Sequence, residues 1–275
     1  MEKPQSFWQA RLCATCSDTE GNKNLMDIQR YVSPDLTHLV GRGRKPLHEQ
    51  YRLLKKILRE GTLRAPWPKK IRREASFVGI DKEYWLQRKS ARRLSDNGAY
   101  RGSFVCFCDI PLNDLGLHIW KYGRFGLAFS KAFLLELGAT PVMYVPTTGR
   151  PGVLPWGNYG RRRVSCNAAS FDAFWKHYKE LHEAAEKQSG GARLSESIRR
   201  VTQFMDLHVL SHLKFFDPSV ADWDKENFYM EREWRVSGDL AFDLQDVRRV
   251  IITEGYAERF RRDFPKYSGE VMMAD

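Results

Sequence analysis

Phe228-Tyr229-Met230-Glu231-Arg232-Glu233-Trp234-Arg235-Val236-Ser237 is the stretch on which the reading of this chain turns. Aromatic and apolar residues bracket two carboxylates and two guanidinium groups. In an extended strand side chains alternate between faces. Glu231, Glu233 and Arg235 are therefore expected on one face, with Arg232, Trp234 and Val236 on the other. Adjacent carboxylates repel unless a cation holds them, and Arg235 is placed to do so. Two readings stay open: an ion-paired strand face turned to solvent, or a site in which one glutamate does chemistry.

Around this stretch the chain alternates strand and helix signals. Downstream, the apolar run Val247 to Ile252 predicts a strand, Tyr256 to Phe264 a helix and Glu270 to Met273 a closing strand. Upstream, Leu194 to Leu213 and Ser170 to Lys187 predict two helices, broken by Gln188-Ser189-Gly190-Gly191, a helical hairpin inserted at about 170–213. Pro146 to Asn158 is expected to be a loop without structure of its own. Pro141 to Val145, Phe125 to Ser130 and Phe104 to Cys108 predict strands, the last buried on both faces by its composition. Thr62 to Ala99 is expected to be a long loop with one short helix around Glu83 to Leu94. Gln50 to Glu60 carries Tyr51, Leu54, Ile57 and Leu58 at helical spacing and ends at Gly61, a C-terminal cap. Pro34 and Asp35 mark a turn, and Leu36 to Val40 a short strand with His38 on the face of Leu36 and Val40. The fold class expected is α+β, with a mixed β-sheet core and a helical hairpin insertion. Residues 28–275 form the one domain predicted; residues 1–27, polar and turn-rich, form an irregular leader.

Composition narrows the classes. With 275 residues, 42% hydrophobic and 13% aromatic, the chain has the makings of a sizeable core. No stretch approaches the ~20 apolar residues that span a bilayer, and the N-terminus lacks a signal peptide's apolar core, so a cytoplasmic protein is expected. Five cysteines in a long chain do not make a disulfide scaffold, and Cys13-Ala14-Thr15-Cys16 has no second pair at zinc-ribbon spacing. His208 and His212 stand four apart, but Val209 occupies the place of a metalloprotease glutamate, and no metal is predicted. No glycine-rich dinucleotide or phosphate loop is present. The formal net charge is +11, with clusters at Lys69 to Arg73, Arg88 to Arg93, Arg161 to Arg163 and Arg259 to Arg262. Such an excess predicts an anionic partner, nucleic acid or an acidic protein.

Four segments carry a family resemblance: Tyr31 to Arg42, Cys106 to Leu112, Tyr122 to Phe129 and Asn227 to Arg235. In order and spacing they resemble the AbiGi family of bacterial abortive-infection (phage-resistance) proteins. The resemblance implies a toxin–antitoxin-like defence module in which this chain is the antitoxin or regulatory partner of a nucleotidyltransferase-like toxin.

The same arrangement also resembles a degenerate ADP-ribosyltransferase, in which an early strand holds the cofactor and a late strand carries the catalytic glutamate, sometimes as Glu-x-Glu. That likeness implies NAD as cofactor. Glu233 would stabilise the positive charge that builds on the ribose as the nicotinamide bond breaks. Glu231 would activate the acceptor, His38 would bind the ribose and Arg42 a phosphate, with Arg235 beside the cofactor. The alternative is a non-catalytic module in which Glu231, Glu233 and Arg235 are an ion-pair row. What separates the two is whether His38 and the two glutamates share one pocket.

Overall fold

The computed structural model describes residues 33–41, 46–66, 76–80, 85–89, 91–148, 152–155, 161–164, 167–187, 192–224 and 226–274. The described chain begins with strand β1 (Asp35–Val40), helix α1 (Leu47–Glu60) and the short β2 (Thr62–Leu63). Next come β3 (Ser76–Ile80), β4 (Trp85–Arg88), β5 (Tyr100–Gly102), β6 (Phe104–Cys108) and α2 (Gly116–Tyr122). They are followed by β7 (Phe125–Ser130), α3 (Lys131–Glu136), β8 (Thr140–Pro141), β9 (Met143–Pro146), β10 (Gly152–Pro155) and β11 (Arg161–Val164). The long helices α4 (Ala168–Lys187) and α5 (Ala192–Phe204) precede β12 (Leu213–Phe216), β13 (Glu233–Ser237), β14 (Leu240–Ala241), β15 (Val247–Ile252), α6 (Ala257–Asp263) and β16 (Glu270–Met273).

Seven strands form the central sheet in the order β16-β15-β7-β1-β6-β13-β8. Neighbours are antiparallel except β15 and β16, so the sheet is mixed and the class is α+β. One face is the main core: Leu36 and Val40, Val105 and Phe107, Leu127 and Phe129, and Val236 pack on Tyr51, Leu54 and Leu58 of α1. The three- and four-residue spacing on α1 turns one stripe inward, each such side chain contributing about 1.5–3 kcal/mol when fully buried. Gly61 ends α1 at φ 58, its N–H returning to Ile57 O. A Cβ there would meet Phe242 O at 2.6 Å, so glycine is needed for both conformation and space. The opposite face is covered by α2, where Leu115 and Ile119 meet Leu39 and Cys108. A second core gathers Trp175 and Tyr178 of α4 with Leu210, Leu213, Phe215 and Val145 under the parallel pair β9–β12.

Several expectations need correction. The helix expected around Glu83 to Leu94 is instead β4 and a 3₁₀ turn, Leu94–Asp96. Pairing of β4 with both β3 and β5 overrides its local helical pattern, and Leu86 and Arg88 are buried two residues apart, at strand period. Within the span read as an unstructured loop, β10 pairs antiparallel with β11, Gly152 opposite Val164. The helix expected to reach Leu213 stops at Phe204 and passes through a π turn, Met205–Val209, and a 3₁₀ turn, Leu210–His212. The strand Phe104–Cys108 is not buried on both faces, because Cys106 is exposed. Residues 1–27, Arg42, the cluster Lys69 to Arg73 and the break at 188–191 lie outside the described residues.

Candidate active site

The opening stretch is a strand only from Glu233 onward. Phe228–Glu231 is a 3₁₀ turn, and Arg232 follows in the left-handed region at φ 41. A non-glycine residue there is strained by roughly 1–3 kcal/mol. Its carbonyl accepts from Asp109 N at 3.1 Å, and its guanidinium lies 3.7 Å from Asp109 Oδ2. The kink brings Glu231 back beside Glu233. The two carboxylates converge as expected, by a turn and not by strand alternation.

Lys214, on β12, joins them. Its ammonium donates to Glu231 Oε2 and, at 2.8 Å, to Glu233 Oε2. Lys121 Nζ reaches Glu231 Oε1 at 2.8 Å, and the Tyr122 hydroxyl donates to the same oxygen. Arg235 donates from Nε to Glu233 Oε1 at 2.8 Å and from a second nitrogen to Ser211 O, tying β13 to the turn before β12. The Glu233 backbone N–H donates to the Tyr144 hydroxyl at 2.8 Å. Three cations thus hold two buried carboxylates, and every carboxylate oxygen has at least one charged donor.

The electrostatics follow from that arrangement. Burial would push Glu233 up, but Arg235 and Lys214 outweigh it and hold the carboxyl at about 2, from an ordinary 4.5. Glu231 is opposed by burial in the same way and is held below its ordinary range by Lys214, Lys121 and Tyr122. Burial would discharge Lys214, yet the two glutamates raise its pKa above the usual value, so Lys214 and both glutamates stay ionised at neutral pH.

His38 approaches from β1. That strand shares only one bridging pair with β6, Thr37 opposite Cys108. Beyond it, His38 Nδ1 donates to Cys106 O at 2.8 Å, where a backbone ladder bond would otherwise continue. A carbonyl only accepts, so Nδ1 carries the proton. Burial lowers the pKa of His38, leaving a neutral ring with Nε2 as an acceptor. By alternation His38 belongs to the core face, edge-on to Phe107 at 5.8 Å.

Despite that, His38, Glu231, Glu233 and Arg235 line one cavity of about 880 Å³, within the size range of small-molecule sites. Leu39, Leu53, Ile57, Leu63 and Phe107 form its apolar wall; His118, Lys121, Tyr122 and Lys214 add to the polar one. Cys106 is exposed on the wall, where desolvation and the Glu233 charge push its thiol up, away from the thiolate form. Among the described residues no three or more His, Cys, Asp or Glu gather where they could hold a metal ion.

These groups bind and orient better than they react. At about 2, Glu233 is a very weak base, and its charge is already compensated; it can still accept a hydrogen bond from a ligand hydroxyl. Sequence reasoning missed Lys214, Lys121, Tyr122 and His118. Lys214 had a signal: one cation in Leu213-Lys214-Phe215-Phe216, with its neighbours Leu213 and Phe215 buried.

A family model described as "Putative abortive phage resistance protein AbiGi, antitoxin" matches residues 82–264. The chain is also similar to an abortive phage resistance protein AbiGi of Lactococcus lactis subsp. cremoris, with 25% identity over 156 residues. That match covers 50% of this chain and 52% of the relative, so the chain spans about half the length of the curated protein it matches. No solved structure matches the chain.

Proposed function

This chain belongs to the AbiGi family of abortive phage resistance proteins, and from that premise we propose that it serves as the antitoxin-type partner in a two-component phage-defence module, acting by binding and not by catalysis. The observation that carries the reading is the saturation of Glu231 and Glu233 by Lys121, Lys214 and Arg235. Such a network fixes β13 against β12 and α2, and leaves no carboxylate with uncompensated charge for transition-state stabilisation. The +11 net charge favours an acidic partner, here a nucleotidyltransferase-like cognate toxin in the cytoplasm, with nucleic acid as the other anionic candidate. In this reading residues 28–275 work as one domain with its helical insertion at about 170–213, and residues 1–27 are an appended leader. None of the described helices is long and apolar enough to cross a membrane.

Co-expression with the product of the neighbouring gene tests the proposal. Growth arrest by the neighbour should be relieved by this chain, and relieved equally by Glu233→Gln. Toxicity of this chain alone, lifted by Glu233→Gln, would reverse the assignment. Affinity should fall with salt for either anionic partner, with a log-log slope set by the number of phosphates contacted if it is nucleic acid and a shallower one if it is an acidic protein.

One observation favours a second reading, an ADP-ribosyltransferase-like effector using NAD: His38, Glu231 and Glu233 line a single cavity. There Glu233 would hold a ribose hydroxyl and stabilise the developing charge, Glu231 would orient the acceptor, His38 and Arg235 would sit beside the cofactor, and Arg42 would meet a phosphate. Nucleic acid or protein would be the acceptor.

A further inference from the structure

The basic cluster Arg259 to Arg262 joins a second set of cations that only the fold brings to it. Arg52, Lys55, Lys56 and Arg59 recur at three- and four-residue spacing, a single stripe on α1. Helix α6, with Arg259, Arg261 and Arg262, lies beside that stripe. The Tyr51 hydroxyl donates to Asp263 Oδ2 at 2.6 Å, and Lys55 Nζ lies 3.2 Å from the same oxygen. Lys55 Nζ and the Arg259 guanidinium stand 5.3 and 5.2 Å from the centre of the buried Tyr51 ring. These contacts tie the two helices together, so their cations form one fixed face.

The carboxylates of this face do not neutralise it. Seven cations on the two helices meet four carboxylates, Glu49, Glu60, Glu258 and Asp263. Asp263 is engaged by Tyr51 and Lys55, and Glu60 by Lys56 and Arg64. Arg52, Arg59, Arg259, Arg261 and Arg262 are exposed, and none of the five forms an ion pair among the described residues. Guanidinium is the side chain whose fork of donors matches phosphate oxygens. Arg52 and Arg59 lie two turns apart on α1, about 10 Å along its axis, the rise of about three phosphates on one strand of a duplex.

The surroundings select among anionic partners. Protein interfaces are anchored by aromatic and large apolar side chains, and single strands stack on exposed aromatics. Neither helix exposes such a side chain beyond Leu47 at the start of α1; Trp120 and Trp223 belong to other segments. A face of arginines without stacking platforms suits the phosphates of a regular double helix.

We propose that the α1–α6 face binds double-helical nucleic acid through its backbone, without reading its sequence. This binding does not depend on the chain's acting as an antitoxin; it shares with that reading only the excess of positive charge.

Fluorescence anisotropy on the purified full chain tests it, with mixed-sequence DNA and RNA duplexes of about two helical turns, a single strand of equal length and poly-glutamate. At least one duplex should bind more tightly than the single strand and poly-glutamate, with log affinity falling linearly as log salt rises. Arg52→Gln with Arg59→Gln, and Arg261→Gln with Arg262→Gln, should each weaken that binding at least about tenfold and lower the salt slope by about 2. Arg92→Gln with Arg101→Gln, which removes exposed cations beside the second core, should weaken it less than either. All of these side chains are exposed, so the variants should fold as the parent does. The proposal is overturned if neither duplex binds, or if the single strand or poly-glutamate binds as tightly as the duplexes. It is overturned equally if either α1 or α6 variant binds unchanged, or loses no more than the Arg92 and Arg101 variant. Growth rescue on co-expression is a separate readout, so failure of one result leaves the other standing.

Discussion

Two of the buried carboxylate clusters among the described residues treat their charge in opposite ways. In the cavity, Glu231 and Glu233 share Lys214 and are further held by Lys121 and Arg235, and both are kept ionised. In the second core, Asp206 is fully buried beside one cation, Arg88, at 3.2 Å, and two hydroxyls, those of Tyr100 and Tyr178. There burial prevails, and the carboxyl is pushed above its ordinary range despite its donors. Geometry agrees. The Tyr178 hydroxyl lies 2.6 Å from Thr202 O and 2.9 Å from Asp206 Oδ1, so its single proton is shared between two acceptors and serves the carboxylate only in part. An excess of cations offsets burial on a cavity wall; one cation with two hydroxyls does not offset it in a closed core.

The largest effect separating the clusters should come from Lys214→Met. It removes the one group shared by both glutamates, and breaking a buried ion network on one side destabilises by about 3–5 kcal/mol. Guanidinium denaturation would show it, and a loss under about 1 kcal/mol would mean that Lys121 and Arg235 suffice alone.

Acid comes next, and the two clusters should respond with opposite sign. Glu233 has a depressed pKa in the fold, so its contribution is present above its ordinary 4.5 and is lost as pH falls towards about 2. That loss is on the order of 3 kcal/mol. Asp206 has a raised pKa, so its contribution is full below the ordinary 3.8 and is lost as pH rises through its value in the fold. Glu233→Gln and Asp206→Asn both mimic the protonated side chain, so their melting curves from pH 2 to 7 should meet the parent's at the acid end and part from it towards pH 7 with opposite sign, Glu233→Gln below the parent and Asp206→Asn above it. A smaller loss, about 1–2 kcal/mol, is expected for Tyr178→Phe, which leaves Thr202 O without its donor. The smallest is expected for Arg93→Ala: its partner Asp96 is exposed like Arg93 itself, and the pair should contribute less than about 0.5 kcal/mol.

The same contrast explains what could be read from sequence. Strands dominated by apolar residues, Phe125–Ser130 and Val247–Ile252, stand where the pattern puts them, because burial selects a short apolar run, and the part-buried Glu270–Met273 stands beside them as read. Helix α1 was legible for the same reason, through its stripe and its terminal glycine. Strand β4 was not, since what holds Trp85–Arg88 extended is pairing with β3 and β5, both remote in its own local pattern. At the cavity, the density of charge in Phe228 to Ser237 marked Glu231, Glu233 and Arg235. Their partners Lys121 and Lys214 come from segments about 110 and 17 residues away in the chain, joined by the tertiary fold alone. His118 carried no signal, because a place on the cavity wall is a property of the fold and not of its neighbours in sequence.

The central claim is that the cavity glutamates hold and orient and do not catalyse. The most direct measurement incubates the purified chain with NAD labelled in its adenylate moiety, together with cell protein and nucleic acid. The expected result is no transfer of label to any fraction, with the parent and Glu233→Gln indistinguishable. Label appearing on protein or nucleic acid with the parent, and lost with Glu233→Gln, would contradict it.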